Sequence, residues 1–163
     1  MQFKVGDRAV FPGQGVGEVT SIEDFEVDGD SYQMYVIEMT VRGTPLCIRM
    51  PVANAGAKGV RNVIPAEAVE RIYDVLRDKD TPADKQTWNR RYREYTNKVN
   101  TGDPLEVAAV LRDLCRLKTE KTLSFGERNM FELTHSLIVE EVAIARDVDG
   151  SVIEAELEAI FNS

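Results

Sequence analysis

Residues 61–69 read Arg-Asn-Val-Ile-Pro-Ala-Glu-Ala-Val, and the spacing of apolar residues changes within this stretch. Upstream of it, short runs rich in β-branched and aromatic residues alternate with turn residues, which is typical of strands. From Pro65 onward, apolar residues recur every three or four positions and glycine becomes sparse, which is typical of helices. The change predicts an α+β chain with two domains, residues 1–64 and residues 65–163.

The first domain is predicted to contain five short strands that form a small barrel or sandwich. Val27-Asp28-Gly29-Asp30 matches a type I′ hairpin, because Asp-Gly accepts positive φ angles. The glycine-rich residues 13–17 look superficially like a phosphate-binding loop. The next residues, 18–23, are strand-like and acidic rather than helical, so we interpret the glycine-rich stretch as a hairpin turn. Arg42-Gly43-Thr44-Pro45 is predicted to turn the chain into the strand Leu46–Pro51.

That strand ends in Ile48-Arg49-Met50-Pro51, which has the character of a sheet edge. Proline has no backbone donor and is tolerated in strands mainly at an edge. An edge with free backbone groups, a charged Arg49 and a flexible apolar Met50 can accept a strand from a partner. An alternative is equally supported by the residues alone: the proline and the charge only prevent unwanted strand pairing.

The second domain is predicted to be a compact bundle of about five helices. Asp103-Pro104-Leu105-Glu106 supplies an N-cap, a proline at the first helical position and a glutamate three residues on, and Ser124-Phe125-Gly126-Glu127 is a capping box. The predicted helices are Pro65 to about Arg77, Trp88 to Val99 with Gly102 as terminator, Pro104 to about Lys118, the capping box at Ser124 to about Arg146, and a short helix that opens at Ser151. Residues 78–82 are predicted to break the chain between the first two helices.

The window from Lys85 to Lys98 reverses the charge of the protein, which is minus 8 overall. It holds five basic residues and one acid, and it contains the only tryptophan, Trp88, beside Arg90, Arg91 and Arg93. A large flat ring among cations suits nucleic acid, which apolar wedges and flanking cations enter at the minor groove. The remainder of the helical domain is strongly acidic. We therefore expect weak binding to DNA by the protein alone, unless a partner holds it there.

Helical spacing supports a second interpretation of Trp88. Trp88, Tyr92, Tyr95 and Val99 lie at i, i+4, i+7 and i+11 and form one apolar stripe, which favours packing of the ring in the core. Thr87 is a candidate N-cap, so Trp88 would lie in a first turn that can project beyond the packed body. Spacing alone leaves both interpretations open.

Other functional classes find little support in the sequence. With 43% hydrophobic and 29% charged residues the composition is globular, and no apolar run approaches the roughly 20 residues that span a bilayer. We expect a cytoplasmic protein with no membrane contact, no metal and no cofactor. Cys47 and Cys115 are predicted to be buried thiols, and His135 to be structural or exposed. No nucleophile with its base is recognisable, so we do not expect an enzyme.

Nine short motifs are distributed over both predicted domains: Phe3-Lys4-Val5-Gly6-Asp7, Phe11-Pro12 with Gly15, Ile48-Arg49-Met50-Pro51, Asn54-Ala55, Gly59-Val60-Arg61, Trp88-Asn89-Arg90-Arg91-Tyr92, Gly102-Asp103, Val110-Leu111-Arg112-Asp113-Leu114 and Leu123-Ser124-Phe125-Gly126-Glu127. Together they resemble the motifs of the bacterial CarD family, and most closely those of its stand-alone CdnL-type members. Motifs in the first domain are shared with the RNA-polymerase-interaction domain of transcription-repair coupling factors, whereas the tryptophan-arginine stretch is not, and no helicase motifs are present after it.

The resemblance implies a Tudor-like, SH3-like barrel that docks on the β-subunit of RNA polymerase, partly by strand pairing. The edge that faces polymerase would consist of Ile48, Arg49, Met50 and Pro51. Where some relatives carry a basic residue at this interface the chain has Phe25, so the contacts there would differ. We expect a monomer that associates with the nucleoid through polymerase.

For the helical domain, the resemblance implies contact with the upstream edge of the transcription bubble. Trp88 would wedge into the minor groove of promoter DNA and help to keep the promoter open. Arg90 and Arg93 are candidate phosphate contacts, and Arg91 and Arg128 are weaker candidates. The alternative function is a protein-interaction adaptor that uses the barrel edge for polymerase or another partner and makes no DNA contact.

Overall fold

The structure, a computed structural model, describes residues 2–41, 43–81 and 86–162. They form a five-stranded antiparallel sheet followed by five helices, so the predicted α+β class is confirmed. The chain divides into two compact units, Met1–Val63 and Ile64–Ser163. The parts of our predictions that concern Arg42, Pro82 and Lys85 lie outside the described residues.

The sheet has two edges of very different length. Its strands are β1 (Arg8–Phe11), β2 (Gly15–Val27), β3 (Asp30–Val41), β4 (Thr44–Pro51) and β5 (Arg61–Asn62). They pair in the order β4-β3-β2-β1-β5, so one edge is the eight-residue β4 and the other is the two-residue β5. An edge position tolerates the two prolines of β4, Pro45 and Pro51.

The hairpin turns are of the kind that the sequence predicts, whereas the ends of several strands differ from the prediction. Asp28 and Gly29 both have positive φ angles, of 51° and 84°, as the predicted type I′ turn requires. Phe11 pairs with Gly15, which confirms a hairpin at the glycine-rich stretch. β2 and β3, at 13 and 12 residues, are longer than the short strands that the sequence predicts, because their distal halves pair with each other while their side chains stay mostly exposed and show no clear alternation. β4 already begins at Thr44, two residues earlier than predicted.

The core of the first unit lies against one face of the sheet. The backbone N–H of Phe3 donates to the Tyr35 hydroxyl over 3.0 Å, and the two rings meet edge to face. A Cβ atom at position 17 would lie 2.5 Å from Cγ2 of Ile37, so the strands can approach here only at a glycine. The buried members of this core are Phe3, Ala9, Phe11, Val19, Tyr35, Ile37, Met39, Met50, Ala55 and Val60.

The five helices begin close to the predicted caps, with two corrections. They are α1 (Val69–Arg77), α2 (Trp88–Asn100), α3 (Pro104–Glu120), α4 (Phe125–Arg146) and α5 (Gly150–Phe161). α1 starts later than predicted, because Ala66–Ala68 forms a 3-10 turn. α5 starts earlier than the predicted Ser151, because the Asp149 side chain caps it and accepts from the backbone N–H of Ser151. After α1, the Asp78 carboxylate accepts from the backbone of Asp80 and Thr81 and turns the chain.

The helices pack around two apolar clusters. The larger one joins α1, α3, α4 and α5, and the smaller one joins α2 to α3 and α4. Tyr95 and Val99, both in the second half of α2, are the buried residues that this helix contributes. The smaller cluster consists of Tyr95, Val99, Val110, Leu114 and Met130, with Trp88, Phe131, Leu133 and Leu137 packed at its border. The first turn of α2 therefore lies at the border of the packed body.

One cysteine differs from its prediction. Cys115 is buried, but Cys47 is exposed, since it points outward from the edge strand opposite Glu38.

His135 stacks on Phe131 with ring centroids 5.7 Å apart, and burial lowers the pKa of His135. Among the described residues, no group of three potential metal ligands comes together, and no helix has the length and apolar character needed to cross a membrane.

Candidate nucleic-acid interface

Trp88 is the first residue of α2, and Thr87 occupies the N-cap position. The Thr87 side chain makes no capping hydrogen bond, so it does not act as the predicted side-chain cap. Its backbone carbonyl accepts from the N–H of Arg91 over 3.0 Å. The ring of Trp88 is therefore placed by the start of the helical backbone rather than by a cap.

The indole of Trp88 is partly buried, which lies between a ring packed in the core and a fully exposed wedge, the two alternatives that the sequence leaves open. Its ring lies 5.7 Å from the ring of Tyr92 and 6.4 Å from that of Tyr95, between centroids. On α4, a Cβ atom at Gly126 would lie 2.9 Å from Nε1 of the indole. Contacts this close require a glycine, so one side of the ring lies directly on the first turn of α4 and part of the ring stays accessible to solvent.

Arg91 holds this ring in place. Its guanidinium lies 5.2 Å from the centroid of Trp88, donates to Oε2 of Glu127 over 3.1 Å and donates to the backbone carbonyl of Gln86 over 3.2 Å. Only 11% of the Arg91 side chain is exposed. Burial alone would lower the pKa of Arg91, but the hydrogen bonds with Glu127 and Tyr95 raise it. The guanidinium is thus occupied within the protein, unlike that of a surface residue whose main partner is phosphate.

Glu127 is the anchor of the cluster and is only 2% exposed. Its carboxylate accepts from the backbone N–H of Ser124 over 2.8 Å, and the Lys121 ammonium lies 2.9 Å away. Burial would raise the pKa of Glu127, but the hydrogen bonds from Ser124, Lys121 and Arg91 lower it to about 2. The sequence identified Glu127 as part of a capping box, which the structure confirms. Its link through Arg91 to Trp88 was not predicted.

Three other predicted DNA contacts are exposed cations. Arg90 and Arg93 line a shallow depression on the outer face of α2, with Gln86, Asn89, Glu94 and Asn97 as the other lining residues. Arg128 is exposed in the first turn of α4. Within the part of the chain that the structure describes, no ion pair joins Arg90, Arg93 or Arg128 to an acid. Their charges remain available to an external anion.

Phe125 is an aromatic residue at this surface that sequence reasoning did not assign to the site. It is the first residue of α4, its side chain is 79% exposed, and it directly precedes the glycine that contacts Trp88. The available signal was an apolar residue next to the capping serine. A capping box places that residue at the first helical position.

The four residues predicted to face polymerase differ in what they expose. Arg49 is exposed and lies 3.9 Å from Glu23, in a pair that is more than half exposed on both sides. Ile48 and Pro51 are partly buried, and Met50 is 2% exposed with its side chain in the core. We predicted Met50 as a flexible apolar side chain at the edge. Alternation along β4 turns it inward instead, so only its backbone is available at the edge.

Two family models together match nearly the whole chain. Residues 3–74 match the CarD-like/TRCF RID domain, and residues 71–158 match the CarD C-terminal domain. The chain belongs to the CarD family. The family resemblance drawn from the motifs is thereby confirmed, and the RID match assigns a Tudor-like fold to the strand-rich part of this CarD-family chain. A relative from Bacillus subtilis (strain 168), named Putative transcription factor YdeB, is 28% identical over 153 residues, which are 94% of this chain and 98% of that protein.

Proposed function

We propose that this CarD-family transcription factor docks on the β-subunit of RNA polymerase through β4 and stabilises the open promoter complex by wedging Trp88 at the upstream edge of the bubble. The observation that carries the proposal is the partly exposed indole of Trp88, fixed by the mostly buried Arg91 and its buried partner Glu127. A ring that is already held in one orientation loses little conformational freedom when it inserts between bases.

Charge supports the same assignment. Arg90 and Arg93 lie exposed on the helix that begins with Trp88 and have no acidic partner among the described residues, so they can take phosphates on either side of a wedge. The overall charge of minus 8 opposes tight binding to free DNA. Docking on polymerase offsets this by raising the local concentration of the protein near DNA. Arg91 acts in this proposal by positioning Trp88, because its guanidinium is occupied.

The docking part rests on the sheet edge. β4 is the long edge of the sheet and offers unpaired backbone groups, and strand addition is a common way to recognise a partner at such an edge. Arg49 projects from this edge with only a distant partner in Glu23, so its charge can serve an acidic partner surface. The match to the RID domain supports polymerase as the partner.

Two variants separate the two surfaces. Trp88→Ala should leave polymerase binding intact and shorten the lifetime of open complexes, by about tenfold for each ~1.4 kcal/mol of wedge energy lost. Arg49→Glu should weaken polymerase binding and lose promoter activity with it, whereas Lys4→Glu, a charge reversal at an exposed position outside β4, should do neither. Loss of polymerase binding in Trp88→Ala would contradict the assignment of the two surfaces.

The adaptor function without DNA contact is the second candidate. Close packing of Trp88 on Gly126 favours it, because a ring that only completes the small apolar cluster would show the same contact. The adaptor predicts that Trp88→Ala lowers the stability of the helical unit and leaves the lifetime of open complexes unchanged at saturating protein. Such a result would replace the wedge with a structural role.

A further inference from the structure

Phe125 combines high exposure with a fixed position. Of the exposed large hydrophobic residues, it is the most exposed in the described part of the chain. It begins the 22-residue helix α4, whose first turn is tied by reciprocal hydrogen bonds between Ser124 and Glu127. Its backbone therefore belongs to an ordered helix end rather than to a loop. A single exposed apolar residue is not by itself a binding site, so its role depends on the residues beside it.

Its neighbours indicate the chemistry of the ligand. Consecutive Cα atoms are about 3.8 Å apart, so Phe125 lies one residue from Gly126, the residue on which the Trp88 indole packs. Arg128 lies at i+3 from Phe125, on the same side of the helix, and is exposed. An aromatic ring beside an unpaired guanidinium suits a ligand with flat apolar faces and an anionic backbone, which describes a nucleic acid strand.

We propose that Phe125 is a second DNA-contacting aromatic residue, which stacks on an unpaired base beside the Trp88 contact while Arg128 takes a phosphate of the same strand. The inference rests on the proposed function and extends it from the edge of the duplex to the single strand. Bases inside a duplex hide their faces from a side chain, whereas bases at a junction expose them. Phe125 should therefore discriminate a junction from a plain duplex.

The test compares two labelled DNA molecules by fluorescence anisotropy, with the full chain at low salt. One is a plain duplex, and the other is the same duplex continued by an unpaired single strand. Phe125→Ala should lower the affinity for the junction by about tenfold and change the affinity for the duplex little, because stacking on a base is worth ~1–3 kcal/mol. Phe125→Leu, which stays apolar but loses the flat ring, should lose most of the same affinity.

Phe25→Ala is the matched control, since Phe25 is an exposed phenylalanine of the other unit. It should bind both DNA molecules as the wild type does. Wild-type protein that binds the junction no better than the duplex would overturn the proposal. Equal losses on both DNA molecules in Phe125→Ala would overturn it as well, and so would weaker binding of that variant to polymerase in the absence of DNA, which would show a protein contact.

Failure of this inference can be told apart from failure of the proposed function. If Trp88→Ala weakens junction binding and Phe125→Ala does not, the second contact is wrong and the wedge survives. If neither variant changes junction binding, or open-complex lifetime on polymerase, the proposed function fails with it. Chemical denaturation of Phe125→Ala should match that of the wild type, because the side chain is mostly exposed.

Discussion

The edge strand β4 and the surface around Trp88 use different parts of the polypeptide. At β4 a partner would mainly contact backbone groups. The strand has one exposed charge, Arg49, which lies 3.9 Å from Glu23, and the Glu23 side chain is itself more than half exposed. Around Trp88 a partner would contact the indole side chain. The Arg91 guanidinium and the Glu127 carboxylate fix this ring, and their side chains are only 11% and 2% exposed. The first surface can adapt to a partner. The second is arranged before any partner arrives.

This difference predicts where mutations affect folding. A buried ion pair loses several kcal/mol when one member is removed, because the remaining charge stays desolvated. An exposed pair contributes about 0–1 kcal/mol. The surface around Trp88 should therefore couple stability to function, and β4 should not. Variants of the two surfaces test this contrast, from the largest expected effect to the smallest.

Glu127→Ala should lower the free energy of unfolding of the helical unit by about 3–5 kcal/mol, because it leaves Arg91 without its buried partner. Trp88 is the only tryptophan, so its fluorescence during denaturation reports on this unit. Glu132→Ala, at an exposed acid of the same helix, is the control and should change stability by less than about 0.5 kcal/mol. Equal losses of stability in the two variants would show that the buried Glu127 supports the fold no more than an exposed acid does.

Lowering the pH should protonate Glu127 and so weaken its interaction with Arg91. The pKa of Glu127 is lowered from 4.5 to about 2 in the folded protein, so its contribution is fully present above pH 4.5 and is lost as the pH falls toward 2. The shift corresponds to about 3 kcal/mol.

The measurement is the stability difference between wild type and Glu127→Gln across this range. It should shrink by most of that amount between about pH 5 and about pH 2. A difference that stays constant would show that the charge of Glu127 does not support the fold.

Gly126→Ala should displace the indole of Trp88, because the new Cβ would lie 2.9 Å from Nε1. Crowding of this kind costs about 1–3 kcal/mol, and the higher helix propensity of alanine offsets up to ~1 kcal/mol of it. A shift in Trp88 emission is therefore the clearer readout. Gly150→Ala, where the nearest atom is an ordinary contact at 3.4 Å from Val139, should leave the emission unchanged.

Arg49→Ala should give the smallest effect on stability, within about 0.5 kcal/mol, because its pair with Glu23 is exposed and long. Thermal unfolding of the full chain measures this. Polymerase binding by the same variant should nevertheless weaken, since the proposed docking edge loses its charge. A stability loss comparable with that of Glu127→Ala would show that the exposed charge of β4 supports the fold as strongly as the residues around Trp88 do.

The edge could be anticipated from the sequence because its signals are local. Pro51 at the end of its strand indicates an edge, although Met50, predicted as a flexible apolar side chain offered at that edge, lies in the core. The fixed indole could not be anticipated in the same way. Arg91 and Glu127 are 36 residues apart, and no local pattern reports that α2 and α4 bring them together. The helical wheel placed Trp88 on the apolar stripe correctly but could not show that packing covers Tyr95 fully and Trp88 only in part.

The central claim is that the indole of Trp88 inserts at the upstream edge of the bubble, and a fluorescent base reports on this directly. With 2-aminopurine placed at that edge of a promoter bound by RNA polymerase, saturating wild-type protein should change the emission of the probe, because an inserted ring alters its stacking. Trp88→Ala at a concentration that gives equal polymerase occupancy should leave the emission as it is without the protein. An equal change in emission with wild type and Trp88→Ala would contradict the claim.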